Sequence, residues 1–167
     1  MNTVMGKYDF AQVYADHKEL VWKLVCRYAA APPDREDLFQ EVFFKIHRAL
    51  PRFRGESKLE TWIYRLTVNT AINYLKKQRR YEQLKRVLEG LGLLRVEAPV
   101  PEDGGAVWKP LKKLNPKQRA ILVMADIEEK KLEEISRILD IPLGTVKSNL
   151  NRAREIVKKE LNKNEGI

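Results

Sequence analysis

The fold is decided by Leu132-Glu-Glu-Ile-Ser-Arg-Ile-Leu-Asp140, the short run Ile141-Pro-Leu-Gly144, and Thr145-Val-Lys-Ser-Asn-Leu-Asn-Arg-Ala-Arg154. Val146, Leu150, Ala153, Val157 and Leu161 recur at spacings of four, three, four and four, which sets them on one stripe of a helix and predicts that the stripe is buried. Lys147, Ser148, Asn151 and Arg152 then point away from it, as cationic or hydrogen-bonding side chains near the helix N-terminus, where such helices meet bases and phosphates. Pro142 and Gly144 do not continue the first helix comfortably, so the turn is definite and Thr145 starts the second helix. The expectation is a helix-turn-helix with its second helix in a DNA major groove. An antiparallel helix pair with a solvated basic face is the alternative.

Working outward, Asn115-Pro116-Lys-Gln118 supplies an N-cap, a proline at the first helical position and a glutamine that can bond back to the cap. From Leu114 to about Asn162 there is room for three or four helices and none for a sheet layer, the size of a compact DNA-reading bundle. Upstream, Gly90, Gly92, Pro99, Pro101, Gly104, Gly105 and Pro110 punctuate a stretch whose acids are Glu97, Glu102 and Asp103, and residues 94–110 read as a flexible linker. Fully extended, it would span roughly 55 Å at ~3.3 Å per residue, more than one ~34 Å turn of duplex. Two domains joined this way could touch separated sites on one DNA.

The N-terminal part, residues 1–93, reads as a second helical bundle. Phe10, Val13, Tyr14, Val21, Leu24, Val25 and Tyr28 lie at helical spacing, and Pro32-Pro33 ends that element. Asp34 is a credible N-cap for the next helix, about 35–50, whose buried side carries Leu38, Phe39, Val42, Phe43, Ile46 and Leu50. Its opposite side groups Asp37, Gln40, Glu41 and Phe44, an acidic sector with an exposed aromatic. That sector is either a solvated face or a docking surface, since aromatics beside complementary charge are favoured at interfaces. Pro51-Arg-Phe-Arg-Gly-Glu56 is a loop, and Ser57-Lys-Leu-Glu60 is expected to form a capping box for a helix from about residue 58. That helix carries Trp62, Asn69 and Asn73, is apolar on more than one side, and ends in Lys76-Lys-Gln-Arg-Arg80. Trp62 is open to two readings, a core residue or a stacking platform for a single-stranded base.

Charge bounds the partner class. The net charge of +9 over 167 residues favours a polyanion. Residues 1–80 hold 15 Lys and Arg against 9 Asp and Glu, residues 81–110 hold 4 against 5, and residues 111–167 hold 13 against 9. Both ends are therefore basic and the middle is not. Cys26 is the only cysteine, which permits no internal disulfide and suits a reduced, cytoplasmic compartment. No signal peptide or membrane-length apolar run is expected. Phosphate-cradling glycine loops, dinucleotide fingerprints and zinc-spaced Cys/His clusters are missing from the sequence, so no metal, cofactor, catalytic residue or small-molecule substrate is expected. His17 and His47 read as structural or surface residues.

Taken together, Asp34-Arg-Glu-Asp-Leu-Phe-Gln-Glu-Val-Phe43, Phe53-Arg-Gly-Glu-Ser57 with Thr61-Trp62, Asn69, Leu114-Asn-Pro-Lys-Gln-Arg119, and Gly144-Thr-Val-Lys-Ser148 with Arg152-Ala-Arg154 resemble the extracytoplasmic-function group of bacterial RNA-polymerase sigma factors. The likeness spans nearly all of the chain except the linker. It implies an all-α protein of two small helical domains, 1–93 and 111–167, joined by the 94–110 linker. It further implies an alternative sigma factor that catalyses nothing itself and directs promoter-specific initiation. Asp37, Gln40, Glu41 and Phe44 would meet the clamp coiled coil of the largest subunit of core RNA polymerase. Phe53, Arg54, Gly55, Glu56, Ser57, Trp62, Asn69 and Asn73 would capture unstacked −10 DNA, and Lys147, Ser148, Asn151, Arg152 and Arg154 would read the −35 duplex. The linker's acids would run toward the RNA exit path, and an anti-sigma factor is the expected inhibitor. Lys58-Leu59, Lys130-Lys131 and Asn149 depart from the usual family pattern, which bears on promoter sequence. A free-standing helix-turn-helix regulator is the rival reading.

Overall fold

Asp9 opens α1 (Phe10–Tyr28) by accepting a hydrogen bond from the Gln12 N–H at 3.2 Å. This helix begins a computed structural model that describes residues 8–94 and 105–164. The chain divides into two compact units, Met1–Ala71 and Ile72–Ile167.

In the first unit α1 packs against α2 (Pro32–Ala49), and a 3₁₀ turn, Leu50–Arg52, follows. Val13, Val21, Leu24, Val25 and Tyr28 of α1 are buried, as are Leu38, Val42, Phe43 and Ile46 of α2. Each such aliphatic side chain withdrawn from water contributes about 1.5–3 kcal/mol. Phe39, expected among them, is only half-buried, and its edge meets Trp22, with ring centroids 5.5 Å apart. Pro32-Pro33 does not lie beyond α1 as a mere stop: the prolines occupy the first positions of α2, and Ala31, not Asp34, is the N-cap. The first helical turn has no use for those N–H groups, so proline is at home there. The corner between the helices is closed by Arg35, whose guanidinium donates to the carbonyls of Ala29 (2.9 Å) and Ala30 (2.7 Å) just past the end of α1.

α3 (Leu59–Gly90) is a continuous helix of 32 residues, and the division between the units falls inside it. Ile63, Tyr64, Val68 and Ala71 are buried, together with Thr67 and Thr70. These threonines cost little because each hydroxyl donates to a carbonyl one turn back, Thr67 to Ile63 at 2.8 Å and Thr70 to Leu66 at 2.7 Å. The hydrogen bonds at the start of α3 differ from the capping box expected of Ser57 and Glu60. The Lys58 carbonyl accepts from the Trp62 N–H, and the Ser57 hydroxyl donates to the Lys58 carbonyl at 3.3 Å, so Ser57 sits one residue before the cap.

In the second unit α4 (Gly105–Lys113) occupies the last positions of the expected linker; residues 95–104, with Glu97, Glu102 and Asp103, lie outside the described residues. Pro110 stands within α4 and removes a backbone donor, and α4 is held by packing against α7 (Leu143–Asn164), with Pro110, Leu111 and Leu114 buried. α5 (Pro116–Leu122) starts with the predicted reciprocal cap: Asn115 accepts from Gln118 N–H at 2.8 Å, and Gln118 accepts from Asn115 N–H at 3.1 Å. It runs into a π turn, Val123–Ile127, and α6 (Leu132–Leu139) and α7 complete the bundle.

Candidate nucleic-acid interface

α6 and α7 form the helix-turn-helix, with one adjustment to the expected turn. The turn passes through Asp140, which takes a left-handed conformation (φ 52°). Gly144 lies inside α7, which begins at Leu143, two residues before Thr145, because the Pro142 carbonyl already accepts from the N–H groups of Thr145 (2.9 Å) and Val146 (3.1 Å). Proline lacks a donor but keeps its carbonyl, so it serves as a helix start as readily as a helix stop. The Ser136 hydroxyl, donating to the Ile141 carbonyl at 2.6 Å, fastens the turn to α6.

The stripe on α7 is buried at Val146, Leu150 and Ala153, against the bundle. Burial then fades, with Val157 half-buried and Leu161 47 % exposed. Only the first three turns of α7 are therefore seated in the core, and these turns carry the DNA-facing candidates. Lys147, Ser148, Asn151 and Arg152 are exposed. The Ser148 hydroxyl (3.1 Å) and the Asn149 amide (2.8 Å) both donate to the Thr145 carbonyl. Arg154, also exposed, is engaged: its Nε donates to Asp126 at 3.0 Å and its Nη2 at 2.6 Å. Those hydrogen bonds push the Arg154 pKa up against a smaller lowering by burial, and Coulomb attraction to the same carboxylate adds to the rise. Sequence reasoning did not single out Asp126, which is 28 residues away from Arg154.

In the first unit, the Phe53 ring lies 5.0 Å from Trp62 and 5.7 Å from Tyr8. Phe53 and Trp62 are both half-buried, so Trp62 is neither a core residue nor a bare platform. The stacking fixes one end of the loop, while Arg54, Gly55, Glu56 and Ser57 stay exposed. Gly55 takes φ +75°, a conformation that disfavours a side chain although no atom lies within 4 Å of an added Cβ. Asn69 is exposed and, seven residues after Trp62, shares its side of α3. Asn73, on the same helix just past the division between the units, is exposed one helical turn further along. Exposed bases could stack beside these rings, with amide groups offered for base edges.

On α2, Asp37 and Gln40 are exposed, Glu41 is half-buried, and Phe44 is 61 % exposed. Two of these acquire local partners: Lys45 Nζ lies 3.0 Å from Glu41, and the Arg48 guanidinium lies 5.6 Å from the Phe44 ring centroid. An exposed ion pair at this spacing contributes only about 0.3–0.5 kcal/mol. A basic partner could displace Lys45 at small cost. His47 is exposed and edge-on to Phe10, with ring centroids 4.8 Å apart. No metal-binding cluster of His, Cys, Asp or Glu occurs among the described residues, and none of their helices is long and apolar enough to cross a membrane.

Comparison with known proteins finds a family match in each half of the chain. Residues 13–81 match the family model for sigma-70 region 2, and residues 106–157 match that for sigma-70 region 4. The chain is 34 % identical over 169 residues to the ECF RNA polymerase sigma-E factor of Escherichia coli (strain K12), covering 90 % of this chain and 84 % of that protein. It is 28 % identical over 165 residues to the ECF RNA polymerase sigma factor SigW of Bacillus subtilis (strain 168), covering 91 % and 88 %. Among solved structures it is similar in fold to the sigma factor RpoE in complex with the anti-sigma factor NepR from Bartonella quintana, with a TM-score of 0.60 and 19 % identity over 92 % of this chain and 97 % of that one. It is also similar to CnrH in complex with the cytosolic domain of CnrY, with a TM-score of 0.59 and 20 % identity over 92 % and 88 %.

Proposed function

Because this chain belongs to the extracytoplasmic-function group of the sigma-70 family, we propose a division of labour among the surfaces of an alternative sigma factor that directs transcription initiation. The outward side of α7 engages the −35 element as duplex through Lys147, Ser148, Asn151, Arg152 and Arg154. The Phe53–Ser57 loop, with Trp62, Asn69 and Asn73, holds unstacked bases of the −10 element. Asp37, Gln40, Glu41 and Phe44 dock on the clamp coiled coil of core RNA polymerase. The observation that carries this reading is the seating of α7, whose buried Val146, Leu150 and Ala153 leave Lys147, Ser148, Asn151 and Arg152 exposed on its first turns.

Melting needs no catalytic group on this reading. Unstacking costs a few kcal/mol per base, and stacking on protein aromatics returns about 1–3 kcal/mol per base. The polymerase performs the chemistry, and the sigma factor contributes position and strand capture. Work in the cytoplasm follows from that partnership. The similar Bartonella quintana structure is a sigma factor bound to an anti-sigma factor, which supports an inhibitor of that class for this chain.

Footprinting tests the reading against a free-standing helix-turn-helix regulator. The protein with core polymerase should protect both promoter elements, and the protein alone should give no stable footprint under the same salt. A full footprint without core polymerase would favour the free-standing regulator.

A further inference from the structure

We infer that Asp126 is a positioning residue for DNA binding, holding Arg154 as a fixed clamp on a backbone phosphate of the duplex that α7 enters. The inference rests on the reading of α7 as the duplex-binding helix. A guanidinium carries five N–H groups, and Asp126 takes two of them, one at Nε and one at Nη2. The Nη1 pair and the second Nη2 hydrogen are left over, a fork of donors of the kind that phosphate oxygens accept. The Arg154 side chain is 54 % exposed and that of Asp126 36 %, so the fork faces solvent at the rim of the bundle.

Asp126 owes its position to an irregular turn. α5 does not run on as a regular helix but closes through the Glu128 N–H to the Val123 carbonyl at 3.0 Å, a bond spanning five residues. One residue more than an α-turn holds is accommodated there, and it rotates Asp126 away from the direction a regular helix would give it. The backbone leaves this turn through Glu129 at φ 53°, unusual for a residue with a side chain. An exposed ion pair adds little to stability, so the pair's contribution lies in fixing a long, otherwise mobile side chain before it meets DNA.

The effect has a sign that simple charge counting reverses. Removing a carboxylate beside a polyanion should strengthen binding by electrostatics alone. If Asp126 positions Arg154, Asp126→Ala should instead weaken it. The test is the weak, sequence-independent association of the full chain with a short labelled duplex, measured at low salt where it is detectable without a stable footprint and then titrated upward in salt, for Asp126→Ala, Asp126→Asn, Arg154→Ala and the Asp126→Ala/Arg154→Ala pair. Phosphate contacts do not depend on sequence, so no promoter is required. The expected result is a several-fold loss for Asp126→Ala, a salt slope shallower by about one, and no additional loss when Arg154 is already alanine. Asp126→Asn is close in size and shape to the native residue and should show a loss in the same direction, so the answer does not hang on the folding of one variant. Tighter or unchanged binding of Asp126→Ala, or a loss that persists without Arg154, would overturn the inference. Lys147→Ala separates the two levels. If it weakens binding while Asp126→Ala does not, the clamp alone fails. If it leaves binding unchanged, the placement of α7 on DNA fails and the clamp with it.

Discussion

Arg152 and Arg154 stand two residues apart on α7 with different surroundings. Arg152 is exposed at the third turn, whereas Arg154 is tied to Asp126. If Arg152 reads a base, Arg152→Ala should cost about 1–3 kcal/mol at cognate −35 sequences and little elsewhere. Equal loss on all sequences, measured by competition between cognate and scrambled duplexes, would reduce it to a phosphate contact. On α2, Asp37→Ala combined with Glu41→Ala should weaken core polymerase binding and leave the cooperative melt in place, because Asp37 is exposed and the Glu41–Lys45 pair is partly exposed on the same helix. Unchanged core affinity in a folded variant would contradict the docking role. Exposure of these residues was legible from helical spacing, since one helix side is apolar and the other is not. Their pairings were not. The Arg154–Asp126 bond and the two bonds from Arg35 to the end of α1 join separate elements, and no local pattern in the sequence announces them.

At the scale of elements, the helix-turn-helix turn makes a stability prediction. Asp140 takes a left-handed conformation that costs an ordinary residue roughly 1–2 kcal/mol, and glycine would relieve that while adding about 0.5–1 kcal/mol of lost chain freedom. Asp140→Gly should therefore stabilise the chain slightly, by up to about 1 kcal/mol in denaturant unfolding, with DNA binding unchanged; a clear loss of stability would show that the aspartate side chain holds the turn. Removing the α5 cap works the other way. Asn115→Ala should destabilise by about 0.5–2 kcal/mol, since the Gln118 N–H loses its acceptor. An unaltered melt would mean that packing alone holds α5. The reciprocal cap was visible in Asn115-Pro116-Lys-Gln118 because each part acts within four residues. The starts of α2 and α7 were misplaced because proline was taken as a stop, although Pro32 and Pro142 begin helices here. The π turn left no sequence signature, since its extra residue is stabilised by what the turn packs against.

For the molecule as a whole, the two basic ends and the +9 net charge give a protein whose DNA contacts should weaken steeply with salt. Two helical modules were readable from periodicity and from the motifs shared with sigma factors. The extent of α3 was not, because its helix runs unbroken to Gly90 through the basic Lys76–Arg80 stretch and past the division of the chain. On the proposed division of labour, the chain gives core polymerase its promoter choice through both modules. Core RNA polymerase mixed with this protein and a promoter library tests it directly, by sequencing the transcripts. The expected result is a discrete set of start sites sharing one −35 and one −10 element, lost when Arg152→Ala or Asn69→Ala is introduced. Initiation indistinguishable from that of core enzyme alone would contradict it.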